Sequence, residues 1–188
     1  MTRPSGTIVA SPPILDGQFT VTDITGLRMT RTISEIHLEA FRGYLNTSLG
    51  PRYAYELVQW YVKQKGAIAL AAIDNNQQIL GYAIGGPVSF TQQLRSDMFW
   101  VTAQSIILRP WVVLDKRLWK VGLARFTTKR SSRKSSVRPY LPVPIFSLRG
   151  IAVRSSHQQK GVGKLLLHAF EQKAKMLKAK SLVLSVYP

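Results

Sequence analysis

The sequence predicts one domain of the α/β class, in which helices pack against a central β-sheet. Its 188 residues are enough for a single domain with an insertion, and 45% of them are hydrophobic, which is enough for a packed core. The apolar residues follow strand and helix periods in the order strand, helix, helix, hairpin, insertion, strand, helix, strand. We therefore predict a flexible lead over residues 1–18 and a single domain over residues 19–188, with the insertion at about residues 90–140.

Short-range patterns predict the first three elements. Phe19–Asp23 alternates apolar and polar residues, as a half-buried strand does. A helical repeat of apolar side chains over residues 33–41 predicts a first helix of roughly three turns. Gly50 followed by Pro51 marks the start of a second helix, and Gly66 marks its end.

A hairpin and an insertion are predicted next. Two apolar runs, residues 67–73 and 79–84, are joined by five polar residues, and the Asn residues among them tolerate the left-handed backbone of a tight turn. The insertion is rich in apolar residues up to Phe126, so we expect it to be helical and docked as far as that residue. Residues 127–136 contain no apolar side chain and are expected to be mobile.

The last part of the chain predicts a strand, a helix and a strand. Residues 145–153 are mostly apolar and β-branched, as in a buried strand. A stripe of apolar residues at helical spacing then begins at about residue 161 and continues to Leu177. Residues 181–187 predict a final buried strand.

The charge of the chain favours anionic partners. Its 26 Lys and Arg residues against 9 Asp and Glu give a formal net charge of +17, which attracts nucleic acid, acidic lipid or a phosphorylated cofactor. Basic residues cluster over residues 109–138 and again over residues 160–180. The alternative for the first cluster is a solvated basic surface without a partner.

Composition also limits the kinds of site and the location. Because the sequence has no cysteine, it offers no disulfide, no thiolate metal site and no cysteine acyl-enzyme. We also predict no metal cofactor. The first residues lack the basic start and apolar run of a signal peptide. No apolar run approaches the ~20 residues that span a bilayer. We therefore expect a cytoplasmic protein.

The strongest functional signal is the loop Gln-Gln-Lys-Gly-Val-Gly at residues 158–163, between a predicted strand and a predicted helix. The first N–H groups of a helix have no acceptor within it, and the helix dipole adds about half a positive charge there, so this end of a helix attracts phosphate. Gly161 and Gly163 let the chain turn and let phosphate oxygens approach closely, while Lys160 and Lys164 add charge at the rim. The alternative is a plain strand–helix connection whose glycines serve only the turn.

Two other phosphate-binding motifs fail at this loop. A nucleotide P-loop needs glycine where Gln158 stands and Ser or Thr where Leu165 stands. The dinucleotide fingerprint needs a third glycine where Leu166 stands. The pattern that fits is (Gln or Arg)-x-x-Gly-x-(Gly or Ala), which Gln158, Gly161 and Gly163 satisfy.

This pattern, after a strand and before an amphipathic helix, resembles motif A of the GNAT N-acetyltransferases. The preceding helices and hairpin follow a similar order, and residues 40–41 (Ala-Phe) and 49–53 (Leu-Gly-Pro-Arg-Tyr) resemble the signature of a bacterial subgroup. The resemblance covers roughly residues 19–87 and 145–188. It implies a GNAT-like three-layer fold with a mixed, mostly antiparallel central sheet flanked by helices, to which this chain adds a basic helical insertion.

The resemblance further implies a site for acetyl-CoA as co-substrate, beside a sheet that splays open at residues 145–153. The pantetheine arm would pair with main-chain groups of Ile151 and Val153 as an added strand would, and the loop amides would hold the pyrophosphate. The thioester would point into the splay, where an acceptor amine attacks it directly and no enzyme nucleophile is needed. The implied cofactor-binding residues are Ile151, Ala152, Val153, Gln158, Gln159, Lys160, Gly161, Val162, Gly163 and Lys164.

One departure from the family pattern concerns the end of the sequence. Family members continue beyond the strand at residues 181–187 with a helix whose Tyr often protonates the leaving thiolate, and with two closing strands. We therefore expect this chain to be truncated after the strand that follows motif A. Completion by another chain is the alternative.

The second departure is that the strand at residues 145–153 carries no Glu or Asp to act as a general base. Its polar members are Ser147 and Arg149. A base can also act through water, and direct aminolysis depends mostly on positioning. The remaining candidates for a catalytic role are His37, Tyr44 and Tyr53, whereas His157 and His168 are expected at the surface.

Three hypotheses for function follow. The first is an acetyl-CoA-dependent N-acetyltransferase that acts on a small-molecule or peptide amine. The second is a binding module that uses residues 109–138 on an anionic membrane or on nucleic acid, where Trp and Phe side chains stand among Arg and Lys. The third is a relative that binds CoA but is inactive.

Overall fold

A six-stranded sheet runs through the centre of the computed structural model, which describes residues 14–16, 19–109 and 141–184. Neighbouring strands are antiparallel, except for the last two, which are parallel. The mixed, mostly antiparallel sheet expected from the sequence is therefore confirmed. In their order across the sheet the strands are β1 (Ile14–Asp16), β2 (Phe19–Asp23), β3 (Ile68–Asp74), β4 (Ile79–Pro87), β5 (Ile145–Val153) and β6 (Ser181–Leu184).

Helices cover both faces of this sheet, which makes three layers as expected. The helices are α1 (Gly26–Ala40), α2 (Leu45–Ser48), α3 (Pro51–Lys63), α4 (Phe90–Asp97), α5 (Phe99–Leu108) and α6 (Val162–Met176). Helices α1 and α3 pack on one face through Ile33 and Val58, and α6 packs on the other through Leu166 and Phe170. None of these four side chains is exposed to solvent, and burying one such side chain contributes about 1.5–3 kcal/mol.

Several element bounds differ from the sequence prediction. Strand β1 lies within the predicted flexible lead and pairs with β2. Helix α1 begins at Gly26 and has 15 residues. The sequence prediction missed its first turns, because they present mostly polar side chains to solvent and show no apolar repeat. Strand β4 continues to Pro87, beyond the predicted end at residue 84, because residues 85–87 pair with the first residues of β5.

Only part of the predicted insertion lies within the described residues. Its first part forms α4 and α5, which end at Leu108. The predicted docked helix as far as Phe126 and the predicted mobile residues 127–136 lie outside the described residues, as do residues 185–187 of the predicted last strand. Among the helices that the structure describes, none has the length and apolar character needed to cross a membrane.

Among the described residues, the two sides of β5 are paired over different lengths. On one side β5 pairs with β4 along its length, but with a register shift between Ile84 and Gly85 that leaves Arg149 as an extra residue, a β-bulge. On the other side the pairing with β6 ends at Leu148 and Leu184. Within the described residues, the second half of β5 therefore has a strand on one side only.

Candidate active site

The unpaired edge of β5 presents main-chain groups of two residues that the sequence predicted to bind the cofactor. The amide of Arg154, just after β5, donates to the carbonyl of Leu80 on β4 at 2.7 Å, so Arg154 and Leu80 are a hydrogen-bonded pair. In an antiparallel pair the bonded residues alternate with residues whose main-chain groups point away. The main-chain groups of Ile151 and Val153 therefore point away from β4, towards the edge that has no strand among the described residues. An extended ligand can pair with such an edge as a strand would.

The loop that follows β5 lies beside the same edge and has several backbone amides without an acceptor among the described residues. A short 3-10 turn, Ser155–His157, leads to Gln159 and Gly161, whose φ angles are +61° and +85°. Gly161 caps α6, and its carbonyl accepts the first helical hydrogen bond from Leu165 at 3.0 Å. The backbone N–H groups of residues 159–164 donate to no acceptor among the described residues. Free donors at the positive end of a 15-residue helix are an arrangement that attracts anions.

The edge and the loop border one groove of about 440 Å³. Its walls come from the end of α1, the second half of β5 and the loop, and its lining residues are Ala40, Phe41, Ile151, Ala152, Val153, Gln158, Gln159 and Gly163. Six of the ten predicted cofactor-binding residues thus line one groove. Of the other four, Lys160, Gly161 and Lys164 are exposed beside it, whereas Val162 points into the core, where it is 1% exposed.

Gln158 ties the loop to the strand edge. Its side-chain Nε2 donates to the carbonyl of Val153 at 3.2 Å. This bond shows directly that the Val153 carbonyl faces the open edge. A ligand that pairs with this carbonyl either displaces the Gln158 amide or shares the oxygen with it, because a carbonyl oxygen accepts up to two hydrogen bonds.

His37 lies one side chain behind the groove. Its Nδ1 atom is 2.5 Å from the hydroxyl of Tyr82, and its ring centroid is 4.9 Å from that of Phe41, which lines the groove. His37 is buried, and burial lowers its pKa to about 4, while burial raises the pKa of Tyr82. At neutral pH this pair is therefore uncharged, and His37 is a poor base for an amine.

The two tyrosines that the sequence offered as catalytic candidates, Tyr44 and Tyr53, lie in different surroundings, and the hydrogen bond of His37 joins it to Tyr82 rather than to either of them. Tyr44 is exposed, and its ring packs edge-on against Phe41 at 5.8 Å. Tyr53, on α3, is half-buried, and burial raises its pKa. Neither of them lines the groove.

A second group of polar side chains lies next to Tyr53. Burial raises the pKa of Tyr61 to about 12. The nearby positive charge of Arg149 lowers this pKa in part, and Tyr53 raises it by a smaller amount. Arg149 also donates a hydrogen bond to the hydroxyl of Thr91 at the start of α4. The bulge therefore aims Arg149 towards α3 and α4, two residues before the strand edge at Ile151.

The comparison with protein families settles the family. The Acetyltransferase (GNAT) family matches residues 30–188, which is most of the chain and includes both the groove and the loop. The chain belongs to the GNAT acetyltransferase family. The resemblance drawn from the sequence is thereby confirmed at the level of the family.

Solved structures show the same fold at low sequence identity. Aminoglycoside N-acetyltransferase AAC(6')-Iy in complex with CoA is 11% identical with a TM-score of 0.55; the alignment covers 93% of this chain and 82% of that one. Aminoglycoside antibiotic 6'-N-acetyltransferase AAC(6')-Ih from Acinetobacter baumannii is 12% identical with a TM-score of 0.52, covering 90% of this chain and 80% of that one. No curated protein sequence matches the chain. At these identities the similarity establishes the fold.

Three residues around the groove of this GNAT chain have roles that sequence patterns did not reveal, namely Tyr82, Tyr61 and Arg149. Tyr82 stands alone as a polar aromatic within the apolar run of β4, which is a signal that it needs a buried partner. Tyr61 continues the apolar face of α3 and looks like a core residue. The orientation of Arg149 depends on the bulge, and a bulge depends on pairing with another strand, so no local pattern encodes it.

Proposed function

We propose that this chain is an acetyl-CoA-dependent N-acetyltransferase that transfers acetyl directly to the amine of a small molecule or peptide. One observation carries the proposal: a single groove joins the open edge of β5 to the free amides at the start of α6. An extended arm with a pyrophosphate at one end needs this combination of a strand edge and an anion site. The proposal includes the cytoplasmic location expected from the sequence.

In this proposal the main-chain groups of Ile151 and Val153 hold the arm, and the amides of residues 159–164 hold the pyrophosphate. Lys160 and Lys164, exposed beside the loop, add attraction for its negative charge. Acetyl-CoA supplies the acetyl group in an activated form, as a thioester. The groove serves to position the thioester for the acceptor, because bringing two reactants together is itself a large part of catalysis.

The acceptor nitrogen forms a bond to the acetyl carbon as the bond from that carbon to sulfur breaks. The amine has to lose a proton in this step, and the described side chains nearby do not take it readily. His37 has a pKa of about 4, and burial keeps the phenols of Tyr53 and Tyr61 protonated. We infer that water accepts this proton, that the CoA thiolate leaves and takes up a proton from water, and that these phenols act only as hydrogen-bond donors.

Acetyl-CoA binding tests the site. Acetyl-CoA at about 100 times its dissociation constant should stabilise the protein by about 2.7 kcal/mol, seen as a rise in Tm. Gly161→Asp should abolish this rise, because it adds a carboxylate and a strained φ at the loop. Gly26→Asp is the matched control: Gly26 also starts a helix with a positive φ and open space around it, but it lies away from the groove. An equal rise in the Gly161 variant would overturn the site.

Transfer itself is measured by release of the CoA thiol in the presence of amines. A thiol reagent gives no background from the protein, because the chain has no cysteine. Release that depends on both amine and acetyl-CoA would support the transferase. A rise in Tm without release for any amine would instead support the inactive CoA-binding relative.

A second candidate function is association with an anionic membrane surface. Helix α5 presents four large apolar side chains to solvent, Phe99, Trp100, Ile107 and Leu108, which are 60%, 71%, 75% and 68% exposed. The basic residues 109–138 follow directly in the sequence and, apart from Arg109, lie outside the described residues. An exposed apolar helix face beside a basic segment is typical of proteins that bind acidic lipid surfaces.

Vesicle co-sedimentation tests this second function. Binding to phosphatidylserine-containing vesicles should fall steeply with salt and should be weaker for Trp100→Ser, while Gly161→Asp should leave it unchanged. Binding to an oligonucleotide instead of to vesicles would favour nucleic acid as the partner. Absence of binding to either surface would leave the basic cluster as a solvated surface.

A further inference from the structure

Arg149 lies on β5 just before the residues of that strand that line the groove, Ile151 to Val153. It is the extra residue of the bulge in β5, and the preceding residue, Leu148, makes the last described pair with β6. Two residues further along the strand, at roughly 7 Å, lie the main-chain groups of Ile151. The strand then leads to the loop at residues 158–164. A cofactor arm that starts at the loop and follows the strand edge backwards therefore ends next to Arg149.

The side chain of Arg149 is held in place on the side of the sheet that carries α3 and α4. It donates to Thr91 on α4 and lies beside the hydroxyl of Tyr61 on α3. Tyr61 is 4% exposed, whereas Arg149 is exposed, so the guanidinium lies between a buried phenol and solvent. Its position is fixed, yet it can be reached by a ligand from outside.

The charge of Arg149 is not balanced by any described residue. The one ion pair within the described residues joins Lys173 and Asp23, on another part of the sheet. A guanidinium has five N–H donors, and the hydroxyls of Thr91 and Tyr61 occupy one each, so several donors of Arg149 remain for a ligand. Their planar arrangement matches the two oxygens of a carboxylate.

We propose that Arg149 binds a carboxylate of the acceptor, so that the acceptor is an amine that also carries a carboxylate, such as an amino acid or the end of a peptide. This inference rests on the proposed acetyltransferase function and deepens it. A carboxylate at Arg149 would place the amine of the same small molecule a few bonds away, at the end of the cofactor arm. A fixed positive charge at this point would by the same physics repel a polycationic amine.

Matched acceptor pairs test the proposal. Acetyl transfer is measured for the twenty common amino acids and for their carboxamides, which keep the amine and lose the carboxylate, with an aminoglycoside as a polycationic comparison. We expect at least one amino acid to be acetylated with kcat/KM about tenfold or more above its amide, since a charge-assisted bidentate contact is lost in the amide. A preference for the amides or for the aminoglycoside would overturn the proposal.

Variants at position 149 show whether the preference comes from this residue. Arg149→Gln should remove most of the preference by slowing the acid much more than the amide, and Arg149→Lys should keep part of it. Arg95→Gln, which removes an exposed charge on α4, is the matched control and should keep the whole preference. If Arg149→Gln slows acid and amide equally, the residue supports the structure only, and the proposal fails.

Acetyl-CoA binding separates this proposal from the function on which it rests. The rise in Tm with acetyl-CoA should be the same in Arg149→Gln as in the unchanged chain, because Arg149 does not line the cofactor groove. The proposal would be overturned if Tm rises normally with acetyl-CoA but no carboxylate-bearing amine is acetylated or raises Tm further. Cofactor binding would then be intact. If acetyl-CoA causes no rise in the unchanged chain, the proposed function fails, and the role of Arg149 fails with it.

Discussion

The Nδ1 atom of His37 and the hydroxyl of Tyr82 lie 2.5 Å apart, so one buried hydrogen bond joins α1 to β4. His37 is 7% exposed and Tyr82 is not exposed at all. Burial lowers the pKa of His37 and raises that of Tyr82, so both groups are uncharged around neutral pH. The bond holds the end of α1 against β4. Phe41 follows this end of α1, contacts the His37 ring and forms a wall of the groove. A wall of the groove is thus supported by a polar contact in the core.

The first prediction is a loss of stability in acid that comes from His37. Its pKa is about 4 in the folded protein, against an ordinary value of 6.5. Between these pH values the unfolded chain binds a proton that the folded chain does not, so the free energy of unfolding falls as the pH is lowered. The expected loss from pH 7 to pH 4 is about 3 kcal/mol. Above pH 6.5 this contribution is complete and does not change further.

Urea unfolding at a series of pH values checks this prediction. His37→Gln cannot titrate but can still bond to Tyr82, so it should lower the pH dependence by about that amount. His168→Gln, which replaces an exposed His on α6, should leave the pH dependence as it is. If both variants keep the full acid loss, carboxylates rather than His37 are responsible.

Removing the other partner of the same bond should also destabilise the fold. Tyr82→Phe leaves the buried His37 nitrogen without its partner and opens almost no cavity, at a cost of about 1–3 kcal/mol. The matched control is Tyr55→Phe on α3. The Tyr55 hydroxyl accepts from Gln59 at 2.8 Å in a half-buried position, where the cost should be about 0.2–0.5 kcal/mol. Equal effects in chemical denaturation would show that burial of the His37–Tyr82 bond adds nothing.

Local patterns predicted the elements whose partners follow in the sequence. The bounds of β2 and β5 agree with the predicted strands, because alternation and a continuous apolar run are properties of the segment itself. The loop at residues 158–163 was predicted for the same reason, since a strand, two glycines and a helix stand next to each other in the chain. The fold places this loop on a groove, and the binding of a cofactor there stays a prediction.

Contacts between distant residues could not be predicted in this way. His37 and Tyr82 are 45 positions apart, and each one alone looks like an isolated polar residue in an apolar element. The orientation of Arg149 depends on a register shift opposite Ile84 and Gly85, which exists only when β4 and β5 pair. The first turns of α1 escaped prediction because Leu27 is 70% exposed and its neighbours are mostly polar, so no apolar stripe marks them.

The bulge itself leads to a prediction at Gly85. A Cβ atom there would lie 2.3 Å from the carbonyl oxygen of Ser147 and 2.7 Å from the ring of Phe170, so neither the backbone of β5 nor the buried ring could stay in place. Gly85→Ala should therefore destabilise the protein by about 1–3 kcal/mol. Gly163→Ala makes the same chemical change in a helix, with its nearest contact at 3.8 Å, and should stabilise the protein by up to about 1 kcal/mol. Thermal unfolding of the two variants should thus give shifts of opposite sign, and shifts of equal sign would contradict the packing at the bulge.

The last prediction concerns the two lysines beside the loop. Lys160 and Lys164 are exposed at the positive end of α6, so each should attract the negative charge of acetyl-CoA without binding it tightly. Lys160→Gln and Lys164→Gln should each raise the Kd for acetyl-CoA about two- to fivefold at low salt, and the difference should shrink as salt screens the charge. Lys175→Gln removes the same charge from the far end of the same helix, where it is equally exposed. Titration calorimetry of the three variants separates attraction by the local lysines from attraction by the net charge of +17. An equal loss of affinity in Lys175→Gln would mean that the net charge attracts the cofactor and that the position of Lys160 and Lys164 at the loop adds nothing.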